Sequence, residues 1–248
     1  MNRALVLTGG SRGIGRATAL AAAAAGWSVG FGYRSDEKAA REVVAAIEAG
    51  GGRAVAVRGD VSVEADVLAL YAAVEEALGP LGGAVVNAGI AGRPSDFVDV
   101  EEARMRRILE VNVLGALLCA REAARRLARS RGGSGGSIVL VSSAAARLGS
   151  PHEYVDYAAS KGAVESLGVG LAKELAHDGV RVNVVRPGII ETDIHAAGGD
   201  PDRAARLTPS IPLGRPGTAD EVAAAILWLL GDASSYTTGS VVEVTGGR

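Results

Sequence analysis

The feature that most constrains this chain is its repeated alternation of short apolar runs with longer, alanine-rich stretches. Candidate strands are Ala4–Thr8, Val29–Tyr33, Ala54–Arg58, Ala84–Asn87, Ile138–Ser142, Val180–Arg186 and Val241–Thr245. Most are apolar throughout rather than alternating, as expected of parallel strands covered on both faces. The intervening stretches carry helix signals. Thr218-Ala-Asp-Glu221 reads as a capping box, preceded by Pro216 and closed by Gly231. Asp99 through Glu102 offers a similar start for a helix running toward Val111, with another continuing to about Arg129. Strand–helix–strand units repeated with right-handed crossovers give an α/β architecture, a doubly wound, seven-stranded parallel sheet with helices on both faces. No solenoid-type repeat and no composition break marks a boundary, so residues 1–248 read as one domain.

Composition narrows the function classes. Hydrophobic residues make up 48% and charged residues 22%, which argues against a disordered chain. Aromatics are only 4%, so the core is expected to be aliphatic. A net charge of −2 gives no electrostatic footprint for nucleic acid. The lone Cys119 excludes a disulfide framework and any multi-cysteine metal site, and no metal is expected. No apolar run reaches the roughly 18 residues that span a bilayer. Met1-Asn2-Arg3 enters a strand directly, without a signal-peptide pattern. The expectation is a soluble, cytoplasmic protein.

Two segments read as loops. Arg131-Gly-Gly-Ser-Gly-Gly136 is a flexible connector into the fifth strand. The stretch from Ile190 to about Thr208 follows the sixth strand at the carboxyl edge of the sheet, where open α/β sheets bind ligands. It is expected to form a substrate lid, with Ile194, His195 and Leu207 as candidate substrate contacts.

Thr8-Gly-Gly-Ser-Arg-Gly-Ile-Gly15 ends the first strand and opens the first helix. Glycines there let the backbone turn tightly and approach a pyrophosphate, whose charge favours a helix N-terminus. A Walker A reading fails because Arg16-Ala17 stand where Lys and Ser/Thr must hold phosphate and Mg²⁺. Gly9-Gly-Ser11-Arg-Gly13 also fits G-x-S-x-G, the nucleophile elbow of a serine hydrolase. Against it, Ser11 follows the first strand, leaving no upstream loop to supply a second oxyanion donor. The three histidines, His152, His177 and His195, carry no supporting motif.

Further along, Ser142-Ser143 end a strand and Tyr157-Ala-Ala-Ser-Lys161 open a helix. Positions i and i+4 share a helix face, so Tyr157 and Lys161 can point the same way. Making a phenol of pKa near 10 titrate near 7 takes roughly 4 kcal/mol. One ammonium charge at ~4.5 Å contributes roughly 3–4 kcal/mol at an effective dielectric of 20. Such a pair has the right magnitude for an acid/base catalyst. Tyr154 lacks a local partner, since Ala158 stands four residues later.

These motifs, in this order, resemble those of the short-chain dehydrogenase/reductases, and the resemblance covers the whole chain. It implies a Rossmann fold in which residues 1–248 form a single dinucleotide-binding catalytic domain. By resemblance the cofactor contacts are Gly9, Ser11, Arg12, Gly13, Ile14 and Gly15 of the glycine loop, and Tyr33, Arg34 and Ser35 after the second strand. Asp60 and Val61 match the adenine-contacting pair, and Asn87, Ala88 and Gly89 match the motif beside the cofactor. Pro187, Gly188, Ile190 and Thr192 match the segment that orients the nicotinamide carboxamide. Asn112, Ser143, Tyr157 and Lys161 match the catalytic set, Tyr157 and Lys161 also touching cofactor and Ser143 touching substrate. Ser142 competes with Ser143, because 14 positions separate Ser143 from Tyr157 where 13 is commoner; a one-residue insertion in Gly149–Glu153 accounts for this.

The implied activity is hydride transfer between a nicotinamide cofactor and a small ketone or secondary alcohol, as in 3-oxoacyl-acyl-carrier-protein reductases. NADP(H) is expected over NAD(H). The acidic position that selects NAD falls on Tyr33, while Arg12 and Arg34 could clamp a 2′-phosphate. Asp36, the rival ribose acid, reads instead as a helix N-cap. An NAD-dependent sugar or alcohol dehydrogenase of the same family is the alternative, and a non-catalytic dinucleotide sensor is a remote one. Arg125, Arg126, Arg129 and Arg131 could dock the acidic carrier of an acyl thioester, but basic residues at a helix C-terminus are favoured by the macrodipole anyway. The family is usually tetrameric, and by analogy helices 112–129 and 158–176 would pack across two-fold axes of a homotetramer.

Overall fold

The computed structural model describes residues 3–192, 199–200 and 202–248. The first half runs β1 (Ala4–Thr8), α1 (Gly13–Ala24), β2 (Ser28–Tyr33), α2 (Glu37–Ala49), β3 (Ala54–Arg58), α3 (Glu64–Leu78) and β4 (Leu81–Val86). Then follow α4 (Glu102–Leu109), a π-helical turn (Glu110–Leu114), α5 (Gly115–Leu127), β5 (Gly136–Val141), α6 (Ala145–Leu148) and α7 (Val155–Leu175). The chain continues through β6 (Val180–Pro187), α8 (Arg203–Leu207), α9 (Ala219–Leu230) and β7 (Val241–Val244).

All seven strands pair in parallel, in the order β3-β2-β1-β4-β5-β6-β7. The order reverses between β1 and β4, and a crevice opens at their carboxyl ends. One apolar layer joins α1, α2 and α9 to the sheet, and the other joins α3, α5 and α7. The core is aliphatic apart from fully buried Phe31 and Tyr71, whose hydroxyl donates to the Cys119 carbonyl at 2.8 Å. Burial pushes the Cys119 thiol up to about 12, so it packs as a small hydrophobe.

Several element ends differ from the sequence expectation. β4 begins at Leu81 rather than Ala84, because Gly82 and Gly83 read as turn signals yet serve close packing. A Cβ on Gly82 would stand 2.5 Å from the Arg3 side chain. β5 likewise starts at Gly136 instead of Ile138 and ends at Val141. Asp99 lies in a 3₁₀ turn and does not cap α4, whose first turn follows Glu101 with no side-chain cap. The capping box forms as read: Thr218 Oγ1 accepts from the Glu221 amide at 3.2 Å, and Glu221 accepts from the Thr218 amide at 2.8 Å. Among the described residues, no helix is long and apolar enough to cross a membrane.

Candidate active site

The glycine loop forms the floor of a groove at the β1/β4 switch point. Gly9 and Gly13 take φ of +72° and +54°, a conformation open to glycine at no steric cost. A Cβ on Gly15 would stand 2.0 Å from the Gly9 carbonyl oxygen, so only hydrogen lets the loop close on α1. Asn87 holds the loop from β4, donating to the Thr8 and Gly9 carbonyls at 3.0 and 3.2 Å. Thr8 Oγ1 accepts from the Asn87 and Ala88 amides, both at 3.0 Å. No side chain caps the start of α1, where Arg12 is the N-cap residue. Its first-turn amides are left for an anion, and the loop leaves room for one. The residues present therefore fit a dinucleotide pyrophosphate.

Gly9, Ser11, Arg12, Gly13, Ile14, Gly15, Tyr33, Arg34, Ser35, Asp60, Val61, Asn87, Ala88, Gly89 and Thr192 all line this groove. Asp36 lines it too, but its carboxylate accepts from the Ala39 amide at 3.0 Å and so caps α2. Burial would raise the Asp60 carboxyl, yet hydrogen bonds from Ser62 and Arg107 and the Arg107 charge hold it at about 2. Asp60 Oδ2 receives Arg107 at 2.6 Å and lies 3.3 Å from Arg34 Nε. Arg107, which no sequence motif singled out, thus joins Arg12 and Arg34 at this end.

The second wall comes from β5, α7 and the chain after β6. Ser142 is spent on structure: its hydroxyl donates to Glu165 at 2.8 Å and contacts the Lys161 carbonyl at 3.1 Å. Ser143 lies beside the Tyr157 phenol instead. Burial raises the Tyr157 pKa most strongly, while a hydrogen bond with Ser143 and the Arg203 charge pull it back. The sequence expectation of a phenol lowered toward neutrality is therefore reversed here, because desolvation outweighs its neighbours. Lys161 Nζ lies 5.8 Å from the Tyr157 ring centroid and donates to the Val141 carbonyl at 2.9 Å. Burial lowers its pKa to about 8.

Asn112 sits on the π-helical turn and is buried. It accepts from the Ile90 amide at 2.8 Å and donates to the Ile90 carbonyl and Ser160 hydroxyl at 2.9 and 3.0 Å. A Cβ on Gly89 would stand 3.2 Å from Lys161 Nζ and 3.3 Å from Asn112 Oδ1, so both groups flank the same small gap. The start of α7 is pinned by a pair that sequence reasoning missed, between half-buried Arg104 and buried Asp156. Arg104 of α4 holds both Asp156 oxygens, at 2.8 and 2.9 Å, and Asp156 accepts from the Tyr157 amide at 2.9 Å.

Ser143, Tyr157, Lys161, Pro187, Gly188, Ile190 and Thr192 line a second hollow. It is continuous with the first, since Ile14, Asn87, Gly89 and Thr192 line both. Tyr154, set aside for want of a local partner, stands here edge-on to Tyr157, with centroids 6.4 Å apart. Its partner is Arg203, whose guanidinium lies 4.7 Å over the ring. Arg203 and Arg248 line the hollow and went unnoticed because nothing local marks them. Of the expected substrate contacts, Leu207 lines neither hollow: it closes α8, with its helix carrying Arg203 inward instead. Ile194 and His195 fall outside the described residues. Among the described residues, no histidine lines either hollow, including the groove that Ser11 lines. The basic cluster at the end of α5 is partly spent on internal pairs: Arg125 and Arg126 both engage Glu122, and Arg126 also engages Glu75.

The chain is similar along its whole length to proteins with this arrangement. It is 50% identical over 243 residues to the uncharacterized oxidoreductase YgfF of Escherichia coli, covering 98% of each. It is 40% identical to 3beta-hydroxysteroid dehydrogenase 1 of Eggerthella lenta, over 99% of this chain and 93% of that one. The crystal structure of a short-chain type dehydrogenase/reductase from Mycobacterium marinum superposes with a TM-score of 0.92 at 36% identity, over 99% of this chain and 94% of that one. A family model described as enoyl-(acyl carrier protein) reductase matches residues 9–248. With the parallel sheet, the glycine loop and the Tyr157–Lys161 wall, these matches make the chain a member of the short-chain dehydrogenase/reductase family of oxidoreductases.

Proposed function

We propose that this protein interconverts a ketone or 3-oxo group and a secondary alcohol, with NADP(H) preferred over NAD(H). The observation that carries the reading is the shared wall: Tyr157, Ser143 and Lys161 line a hollow continuous with the glycine-loop groove. A dinucleotide held in that groove would reach into this hollow with its nicotinamide and would supply or accept the hydride there. Tyr157 is the acid/base group. Its raised pKa keeps the phenol protonated at neutral pH, ready to donate to a substrate oxygen during reduction. Ser143 hydrogen-bonds the same oxygen and stabilises the charge developing there. Lys161 keeps two of its three N–H donors after bonding Val141, available to a nicotinamide ribose and to the Tyr157 side of the gap. Asn112 Oδ1 has one lone pair left, enough to hold a water that links Lys161 to solvent.

The NADP(H) preference draws support from charge. Arg12, Arg34 and Arg107 line the groove beside Tyr33 against two carboxylates, and Asp36 is committed to capping α2. Asp60 and Val61 would border the adenine, and Pro187, Gly188, Ile190 and Thr192 the nicotinamide. Exposed Leu114 and Leu117 next to and on α5, with Val169 on α7, support homotetramer contacts through those helices. A cytoplasmic location accords with this use of NADP(H). The test is a panel of 3-oxo esters, sugars and diketones, followed by nicotinamide absorbance with each cofactor. Reduction of simple ketones with NADPH supports the reading, and turnover of none overturns it.

A further inference from the structure

The charged side chains that line the hollow beside Tyr157 are all basic. Its charged lining residues, among those described, are Lys161, Arg203 and Arg248, with no Asp or Glu. Two of these cations already have duties. Lys161 is turned to the Val141 carbonyl, and Arg203 pairs with Glu153 while covering Tyr154. Arg248 forms no ion pair among the described residues, although the charges of Arg203 and of its partner Glu153 both bear on it. Its position is built. Gly246 and Gly247 take φ of +65° and +93° and turn the chain back toward the hollow. Arg147 donates to the Arg248 carbonyl at 2.9 Å, and the Leu213 amide donates to the Gly246 carbonyl at 3.1 Å. Cβ atoms at the two glycines would stand 2.8 Å from Ile211 and 3.0 Å from Pro212, so the turn is packed as well as bonded.

We infer that the hollow takes a carbonyl substrate bearing an anionic group, a carboxylate or a phosphate, that Arg248 holds while Tyr157 faces the carbonyl. This rests on the carbonyl–alcohol reading above. A guanidinium presents a planar fork that matches either oxyanion. A cleft lined by side chains of one charge sign concentrates ligands of the opposite sign. Ala91, Leu148 and Ile189 offer apolar contact to the rest of the molecule. Arg203 is held too firmly to follow a ligand and Glu153 offsets its charge, so the contact falls to Arg248.

The experiment compares matched pairs on the 248-residue chain with no tag appended after Arg248: acetoacetate and levulinate against their methyl esters, and dihydroxyacetone phosphate against dihydroxyacetone. Wild type should favour the anion in kcat/KM by about 10–100-fold, the range of one charge-assisted contact. Arg248→Gln should lose that ratio, and Arg248→Lys should keep part of it. The ratio is internal to each protein preparation, so partial misfolding does not disturb it. The carboxylate and phosphate arms separate the two sources of charge. An ester preferred by wild type, or an anion preference that survives in Arg248→Gln, overturns the inference while leaving the reductase reading standing. Turnover of no member of any pair overturns both.

Discussion

Lys161 should cost the folded protein stability at neutral pH, and replacing it should return part of that cost. The side chain is 4% exposed, and burial brings its pKa from 10.5 to about 8. The folded state then binds fewer protons than the unfolded chain between these values. Stability is therefore lowest below about pH 8 and rises as pH climbs toward 10.5. The gap corresponds to roughly 3 kcal/mol. Lys161→Met removes that penalty but leaves the Val141 carbonyl without its donor, a loss of about 1–3 kcal/mol. The variant should be up to about 2 kcal/mol more stable at pH 7 and about 1–3 kcal/mol less stable near pH 10.5. Urea unfolding of both proteins without cofactor, at about pH 7 and about pH 10.5, reads the difference. A stability difference that stays constant between these two pH values refutes the reasoning, because the lysine would then titrate as if exposed.

Three further outcomes follow from particular contacts. Tyr33→Asp should shift cofactor preference toward NADH by placing an anion where a 2′-phosphate would lie, and Arg34→Ala should lose about 10–100-fold in kcat/KM with NADPH only; kinetics with both cofactors check this. Ser143→Ala should lower kcat about 10²–10³-fold if the hydroxyl stabilises a developing oxyanion. Ser142→Ala, which instead frees Glu165 and the Lys161 carbonyl, should show mainly in thermal stability. Arg104→Met strands Asp156 in a buried site and should cost roughly 3–5 kcal/mol in denaturant unfolding.

Much of the site was legible because its motifs are local. The glycine loop, Asp60-Val61, Asn87-Ala-Gly89 and Tyr157–Lys161 each lie within a few residues of a strand end or on one helix turn. The parallel sheet follows just as directly from apolar runs, and the Asp36 and Thr218 caps from the residues that make them. What stayed hidden depends on distant parts of the chain. Arg203 reaches Tyr154 across 49 positions, and Arg104 reaches Asp156 across 52. Arg248 matters only because two left-handed glycines turn it inward. The Tyr157 pKa went the other way for a similar reason: helical spacing gives the proximity of an ammonium, but not the desolvation that the surrounding walls impose.

The central claim is that the Tyr157 hydroxyl moves the proton. Tyr157→Phe keeps the ring packed against Tyr154 and removes only that group. Its kcat should be measured on the best ketone of the panel, together with NADPH affinity by fluorescence titration and the thermal midpoint. Proton transfer by a positioned side chain accounts for about 10²–10⁴-fold in rate, so kcat should fall by at least that range with affinity and midpoint nearly unchanged. A folded Tyr157→Phe protein that binds NADPH and turns over at the wild-type rate would contradict the account.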